Sequence, residues 1–116
     1  MYSNPPIHGA RLVSQVLNDP TLYAQWEGDC KGMADRINAM RSSLVSALAQ
    51  AGSNRDWAHI TNQIGMFCYS GLSKDEVLAI RDKHSVYMTL DGRVSMAGVT
   101  SGNVEYLADS MHSVTK

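Results

Sequence analysis

The feature that most constrains the fold is one long apolar stripe between a helix-starting and a helix-ending signal. Asp19 is a good helix cap, Pro20 suits the first helical position, and Gly52 suits the residue just after a helix. Apolar residues recur every three or four positions between them, which predicts one helix over residues 20–51. The stripe consists of Leu22, Trp26, Cys30, Met33, Ile37, Met40, Leu44 and Leu48.

This predicted helix is long for a chain of 116 residues. At 1.5 Å per residue it would extend on the order of 48 Å, whereas a compact domain of this size has a radius of gyration of about 13 Å. Gly28 and Gly32 allow a kink, and each costs about 1 kcal/mol relative to alanine. We therefore expect part of the stripe to pack on polypeptide outside this chain.

Three further helices are predicted from capping residues and apolar spacing. The first follows Ser3 or Asn4 as a cap, has Pro5-Pro6 in its first turn, and ends near Leu17. Another begins after Ser73, where Glu76 completes a capping box, and ends near residues 83–84. The last follows Thr100 or Ser101 and buries the residues Val104, Leu107, Ala108, Met111 and Val114.

Two β-structures are predicted between these helices. Residues 65–71 form a glycine-bounded strand whose two faces are both apolar, which favours a central place in a small sheet. Asp91-Gly92 is a strong turn signal, and the β-prone residues on either side, 86–89 and 93–97, predict a hairpin with Val94 and Met96 towards the core. The order of elements predicts an α/β (α+β-like) domain in which helices cover a small sheet.

Arg93 is the one candidate binding residue that the spacing supports. It directly follows the predicted turn, so its backbone is held, and its guanidinium carries a permanent charge and five donors in a fixed plane. Such a group binds a planar carboxylate through two parallel hydrogen bonds. The alternative is a solvated edge residue that discourages sheet aggregation, which is the usual role of an arginine in this position.

Composition excludes several other classes of function. A net charge of −1 gives no reason to expect nucleic acid or an acidic membrane surface as a partner. No apolar run is long enough to span a bilayer, and residues near Met1 show neither a secretory signal nor a transit peptide. The two cysteines, Cys30 and Cys68, are expected to be buried free thiols.

No complete catalytic set is visible in the sequence. The four histidines lack metal-ligand spacing, so no zinc site is expected, and no glycine-rich phosphate loop or nucleophile elbow occurs. The four lysines are expected to be solvated rather than placed for covalent chemistry. They are Lys31, Lys74, Lys83 and Lys116.

Several short motifs together resemble the later part of aspartate aminotransferases, and the resemblance covers essentially the whole chain. The motifs are Ser3-Asn4-Pro5-Pro6, Gly9-Ala10-Arg11, Met33-Ala34-Asp35-Arg36-Ile37, His59-Ile60-Thr61, Gln63-Ile64-Gly65-Met66-Phe67, Gly71-Leu72 and Gly92-Arg93-Val94-Ser95-Met96-Ala97-Gly98. The start at Met1-Tyr2 and the ending His112-Ser113-Val114-Thr115-Lys116 are most similar to the mitochondrial type.

This resemblance implies a pyridoxal-phosphate enzyme of fold type I that works as a homodimer on dicarboxylic amino acids and oxo acids. It implies that Arg93 binds the substrate α-carboxylate, that Phe67 borders the active site, and that Ser3 lies near the cofactor phosphate of the neighbouring subunit. It further implies that residues 1–51 hold the first helix and the long connecting helix, while residues 52–116 form the sheet and helices of the C-terminal small domain.

The resemblance also implies that this chain is a C-terminal part with no activity of its own. None of the four lysines matches the Schiff-base lysine of the family, and the arginine for the distal carboxylate falls before Met1. A mitochondrial location rests on the resemblance alone, with the cytoplasm as the alternative. Two other functions stay open, namely a non-catalytic helical module that binds a partner through residues 20–51, and part of an aromatic amino acid aminotransferase.

Overall fold

The structure, a computed structural model, describes residues 6–116. Ser3, predicted to lie near a cofactor phosphate, falls outside the described residues, as do Asn4 and Pro5. Contacts between residues divide the chain into two compact units, the first ending at Asp35 and the second covering Arg36–Lys116. The division falls inside the long helix, and each unit is described by itself.

The first unit contains helix α1, Ile7–Asn18, and the first part of helix α2, Pro20–Gln50. The predicted boundary between them is confirmed, because Asp19 Oδ1 accepts hydrogen bonds from the backbone N–H groups of Thr21 at 2.9 Å and Leu22 at 3.2 Å. Pro6 is the N-cap of α1 rather than part of its first turn. None of the residues of α1 is buried.

The stripe on α2 is covered in one part and open in another. Leu44 and Leu48 are buried in the core of the second unit, and Ile37 and Met40 pack against that core. In the first unit, Trp26 and Met33 are 46% and 60% exposed. Of the helices within residues 6–116, none is long and apolar enough to cross a lipid bilayer.

The second unit adds three helices, one 3-10 turn and two short strands to the end of α2. In chain order they are α3 Ala58–Thr61, β1 Phe67–Tyr69, α4 Lys74–His84, β2 Arg93–Ser95, a 3-10 turn at Met96–Gly98, and α5 Val104–Thr115.

One apolar core holds these elements together. The buried apolar side chains form a single cluster. They come from α2, α3, β1, α4, the 3-10 turn after β2, and α5. Removing this apolar surface from water is the main force that folds the unit. The most deeply buried apolar residues are Leu48, Ile60, Ile80, Met96, Ala108 and Met111.

Two of the predicted helix ends are confirmed and one is wrong. Ser73 and Glu76 form the predicted capping box, with Ser73 Oγ accepting from the Glu76 backbone at 3.2 Å and Glu76 Oε2 from the Ser73 backbone at 2.9 Å. Gly52 has a φ of +89°, as a residue ending a helix often does. Helix α5, however, begins at Val104 and not after Thr100 or Ser101, because residues 101–103 form a turn in which the Asn103 N–H donates to the Thr100 carbonyl at 3.2 Å.

The predicted hairpin is correct in its turn and wrong in its partner strand. Gly92 N–H donates to the Thr89 carbonyl at 2.9 Å, so the chain does reverse there. Yet β2 pairs antiparallel with β1, and residues 86–89 form no strand. The sheet in residues 6–116 has two strands, so the central position predicted for residues 65–71 is also wrong.

The alternation of β1 explains why the prediction for this strand is wrong. Cys68 is buried, whereas Phe67 and Tyr69 are more than half exposed, so only one of the two apolar faces packs on the core. An apolar face that remains open looks the same in sequence as one covered by a neighbouring layer. The burial predicted for both cysteines holds for Cys68, while Cys30 is only half-buried.

Candidate functional site

The exposed face of the two-stranded sheet brings the two predicted substrate residues together. Phe67 is opposite Ser95 and Tyr69 is opposite Arg93, and residues directly opposite in an antiparallel pair share a face. Cys68 and Val94, the pair between them, belong to the other face, towards the core. Arg93 is therefore a diagonal neighbour of Phe67, a relation that places Cα atoms roughly 7–8 Å apart.

The turn before β2 fixes the position of the Arg93 backbone. Gly92 has a φ of +88°, a conformation that side chains disfavour, and a Cβ there would lie 2.9 Å from the Leu72 carbonyl oxygen. The Gly92 carbonyl accepts from the Ser70 backbone at 2.8 Å and from the buried Ser70 hydroxyl at 2.6 Å. The close packing of residue 92 on residues 70–72 ties the turn to the end of β1.

The free edge of β1 is closed by two side chains. The Gln63 amide makes a two-point contact with Tyr69, donating to its carbonyl and accepting from its N–H, both at 2.8 Å. Arg41 Nη2 donates to the Phe67 carbonyl at 3.0 Å and to the Gly65 carbonyl at 2.6 Å. Since an unpaired strand edge invites another strand, these contacts keep Phe67 and Tyr69 in place without a third strand.

Arg41 is the most deeply buried charged residue of the described part, with 1% of its surface exposed. Its Nη1 donates to the Ile60 carbonyl at 2.8 Å, so the guanidinium bridges three backbone carbonyls around the start of β1. Burial raises the pKa of the neighbouring Cys68 thiol above its ordinary value, and the charge of Arg41 opposes that rise. The thiol is therefore a small buried side chain and not a nucleophile.

The Arg93 side chain is 58% exposed and has an acidic neighbour of its own. Its Nε donates to Asp91 Oδ2 at 2.9 Å, and its backbone N–H donates to the Thr89 hydroxyl oxygen at 3.1 Å. Within residues 6–116, neither of its Nη groups has a hydrogen-bond partner. The outer end of the guanidinium, with its parallel donors, is thus available to a carboxylate.

Asp91 stays ionised beside this arginine. The hydrogen bond from the Thr89 hydroxyl holds the pKa of the Asp91 carboxyl below its ordinary value, and contacts with the Arg93 backbone and guanidinium act in the same direction. Both side chains of the pair are solvent-exposed, and exposed ion pairs contribute little to stability. Asp91 therefore contacts the Nε side of the guanidinium and leaves its outer end open.

The face combines a cation and two aromatic rings on a held backbone, and the open donors of the cation can bind a carboxylate. Sequence reasoning identified Arg93 and Phe67, and it missed the parts that hold them, namely Asp91, Gln63 and Arg41. Asp91 was interpreted only as a turn former, although its position two residues before an arginine is a recognisable signal for a local ion pair. Gln63 and Arg41 give no such local signal, because their partners are backbone groups.

The described residues do not by themselves form a site for an aldehyde cofactor that binds through a Schiff base. A lysine used in that way is desolvated or lies close to another cation. All four lysines of the chain are exposed, and Lys31 is paired with Asp35 at 2.7 Å. These lysines therefore do not fit the covalent attachment of such a group.

The described residues place an exposed arginine with open outer donors beside two aromatic residues, on a small sheet under helices, an arrangement that can bind a carboxylate. Residues 1–111 match the family model of aminotransferases of class I and II, so the chain belongs to this family. The fold predicted from the resemblance, that of an aminotransferase small domain, is confirmed.

Within the family, the chain is similar to aspartate aminotransferases. It is 55% identical over 116 residues to the mitochondrial aspartate aminotransferase of Arabidopsis thaliana, covering 100% of this chain and 27% of that protein. The structure of a mitochondrial aspartate aminotransferase from Trypanosoma brucei superimposes with a TM-score of 0.98 at 46% identity, over 100% of this chain and 30% of that one. An aromatic amino acid aminotransferase from Burkholderia pseudomallei gives 0.97 at 41% identity, over 99% and 29%.

Proposed function

We propose that this chain is part of an aspartate aminotransferase, which moves an amino group between L-aspartate and 2-oxoglutarate to give oxaloacetate and L-glutamate. In this proposal Arg93 binds the α-carboxylate of the substrate. The observation that carries it is the open outer end of a guanidinium on a held turn, in a chain 55% identical to such an enzyme. The chain spans 27% of the length of that relative, so the complete active site also needs other polypeptide.

The geometry supports a carboxylate as the ligand of Arg93. Two parallel N–H donors match the two oxygens of a carboxylate, and the charge is permanent at every physiological pH. Phe67 is on the same exposed face, where it would line one side of the bound substrate and exclude water from the ion pair. A less hydrated ion pair is stronger, because the local dielectric constant is lower.

The parent enzyme is proposed to use pyridoxal phosphate, held mainly by residues outside this chain, with Ser3 near its phosphate group. The related Burkholderia enzyme is described as covalently bound to this cofactor. When bound, the cofactor would act as the electron sink for the amino-group transfer. We also propose that the parent enzyme is a homodimer and, from its relatives, that it is mitochondrial.

The test of Arg93 belongs in the full-length enzyme. Replacing Arg93 with alanine removes the hydrogen bonds to the α-carboxylate, and such bonds to a charged group contribute about 1.5–3 kcal/mol. Dissociation constants for succinate, a dicarboxylate that cannot react, are expected to rise about 10- to 150-fold by titration calorimetry. Arg81→Ala is a matched control, because Arg81 is exposed and pairs with Asp82 in the same manner.

Two outcomes would redirect the proposal. Unchanged succinate binding in the Arg93→Ala enzyme would contradict the role of Arg93 and favour a module that binds a partner through the exposed part of α2, where Trp26 and Met33 are open. A full-length enzyme that transfers amino groups to aromatic oxo acids faster than to 2-oxoglutarate would instead favour the aromatic aminotransferase, to which the chain is also similar.

A further inference from the structure

The segment before β2 holds Arg93 through a chain of side-chain contacts that the proposed function does not require. Thr89 Oγ1 donates to Asp91 Oδ1, and Asp91 Oδ2 accepts from Arg93 Nε at 2.9 Å. Both oxygens of the Asp91 carboxylate are therefore engaged, one by the residue that fixes it and the other by the guanidinium. The same hydroxyl of Thr89 also accepts the Arg93 backbone N–H at 3.1 Å.

We infer that Asp91, held by Thr89, is a positioning residue that orients the Arg93 guanidinium for the carboxylate of the substrate. The inference rests on the proposed role of Arg93. A guanidinium offers a carboxylate either its side, through Nε and one Nη, or its end, through both Nη groups. Because Asp91 occupies Nε, the substrate carboxylate binds the end of the guanidinium, pointing away from the turn.

Orientation matters here because arginine is flexible and this one is largely exposed. Ordering a long side chain on binding costs about 0.5–1.5 kcal/mol, and a residue that is already held does not bear that cost at the moment of binding. Asp91 restricts the Nε end, while the backbone of Arg93 is held by Thr89, whose hydroxyl accepts the Arg93 N–H at 3.1 Å and whose N–H donates to the Arg93 carbonyl at 3.3 Å. The guanidinium is thus held at its base and along its stem, with its outer end free.

The charge of Asp91 acts against the same binding event. A second carboxylate near Arg93 repels the incoming one, although exposure to solvent and salt weakens this repulsion. Asp91→Asn separates the two effects, since the amide keeps an oxygen that can accept from Nε and has no charge. Asp91→Ala removes both the acceptor and the charge.

The experiment measures succinate binding to the full-length enzyme and to its variants by titration calorimetry. Asp91→Ala is expected to raise the dissociation constant about 3- to 10-fold, the range that corresponds to ordering one long side chain. Asp91→Asn should lose less affinity for succinate than Asp91→Ala, because the amide oxygen can still accept from Arg93 Nε. In an Arg93→Ala background, Asp91→Ala should cause no further loss, since the favourable effect of Asp91 on binding passes through the arginine.

Thr89 supplies an independent pair of variants. Thr89→Val removes the hydroxyl that fixes Asp91 and is expected to weaken succinate binding, whereas Thr89→Ser keeps the hydroxyl and should restore it. Thermal unfolding of each variant identifies any that fail to fold, and the ¹⁵N signal of Arg93 Nε–H in the remaining ones reports directly on the contact with residue 91.

The outcomes separate this inference from the proposed function. Normal succinate binding in the Arg93→Ala enzyme would overturn the proposed function itself. Weak binding in Arg93→Ala together with unchanged or tighter binding in Asp91→Ala would overturn only the positioning role. An equal loss from Asp91→Ala with and without Arg93 would also overturn it, because the effect would then not pass through the arginine.

Discussion

Replacing Arg41 with leucine tests the idea that a buried guanidinium, and not the sheet alone, holds the start of β1. Arg41 is 1% exposed and donates to the carbonyls of Ile60, Gly65 and Phe67 at 2.8, 2.6 and 3.0 Å. Leucine fills part of the same space and donates nothing. The substitution therefore leaves three carbonyl oxygens without their donor.

The size of the effect follows from where the three carbonyls lie. The contact to Ile60 is fully buried, so water does not replace it, and an unsatisfied buried acceptor costs about 1–3 kcal/mol. Gly65 and Phe67 are exposed residues, so water compensates for part of each loss. Removing the charge gives back some of its desolvation cost. We expect a net loss of about 2–4 kcal/mol in the free energy of unfolding.

Urea unfolding of the chain, followed by the fluorescence of the buried Trp57, measures this loss. A Trp26→Phe background removes the signal of the other tryptophan, which is half-exposed. Arg36→Leu is the matched control, because Arg36 is on the same helix and makes one contact, from Nη2 to the Val99 carbonyl at 2.9 Å. One such contact predicts about 0.5–1.5 kcal/mol.

Equal effects of the two substitutions would refute the reasoning. A loss below about 1 kcal/mol for Arg41→Leu would mean that water satisfies all three carbonyls, or that the cost of burying the charge cancels the hydrogen bonds. Amide hydrogen exchange shows whether the loss of stability is local to the start of β1 or affects the whole chain. We expect Arg41→Leu to speed amide exchange most at the Met96 N–H. This group donates to the Met66 carbonyl at 2.8 Å, beside the carbonyls that Arg41 binds.

Three further predictions concern single groups. Gly92→Ala should lower the free energy of unfolding in urea by about 2 kcal/mol or more, because residue 92 has a positive φ and a Cβ there meets a backbone oxygen. Gly28 is in a helix with open space around it, so Gly28→Ala should raise the free energy of unfolding by about 0.5–1 kcal/mol. Folding lowers the pKa of Asp91 below its ordinary 3.8. The contribution of Asp91 to stability is therefore present above about pH 4 and is lost as the pH falls through the pKa of the folded state. Titration followed by the carboxyl ¹³C signal should show this low pKa, and Thr89→Val should raise the pKa. Burial raises the pKa of Cys68 above 9.0, so at pH 8 a disulfide reagent should modify it far more slowly than in the urea-unfolded chain, and equal rates would contradict its burial.

The helices were predictable because their signals are local. The cap at Asp19, the capping box at Ser73 and the glycine at position 52 each depend on residues within one turn of the helix end. The apolar spacing of α5 likewise shows directly which of its sides is buried. The start of α5 was predicted a few residues too early, because Thr100 and Ser101 are typical cap residues, whereas residues 101–103 form a turn ahead of the helix.

The pairing of strands was not predictable in the same way. Residues 86–89 and 93–97 have the alternation and the turn of a hairpin, but β2 takes its hydrogen bonds from β1, more than twenty residues earlier. The competition is decided by the core, because pairing with β1 buries Cys68 and leads directly into the buried Met96. Tertiary packing of this kind overrides a local turn signal, and no spacing rule reports it.

Two arginines of the same chain show which part of a site sequence can reveal. Arg93 was identified because its surroundings are local: a turn before it and small residues after it. Arg41 was not, because it lies beside an apolar stripe as an ordinary polar residue of a helix and finds all its acceptors in the segment from Ile60 to Phe67. The two arginines differ in burial and therefore in role. The buried Arg41 donates its hydrogen bonds to fixed backbone carbonyls, whereas the exposed Arg93 pairs with Asp91 and keeps its outer donors open. A candidate binding residue is therefore recognisable from a short motif, while the residue that holds the strand beside it is found only from the fold.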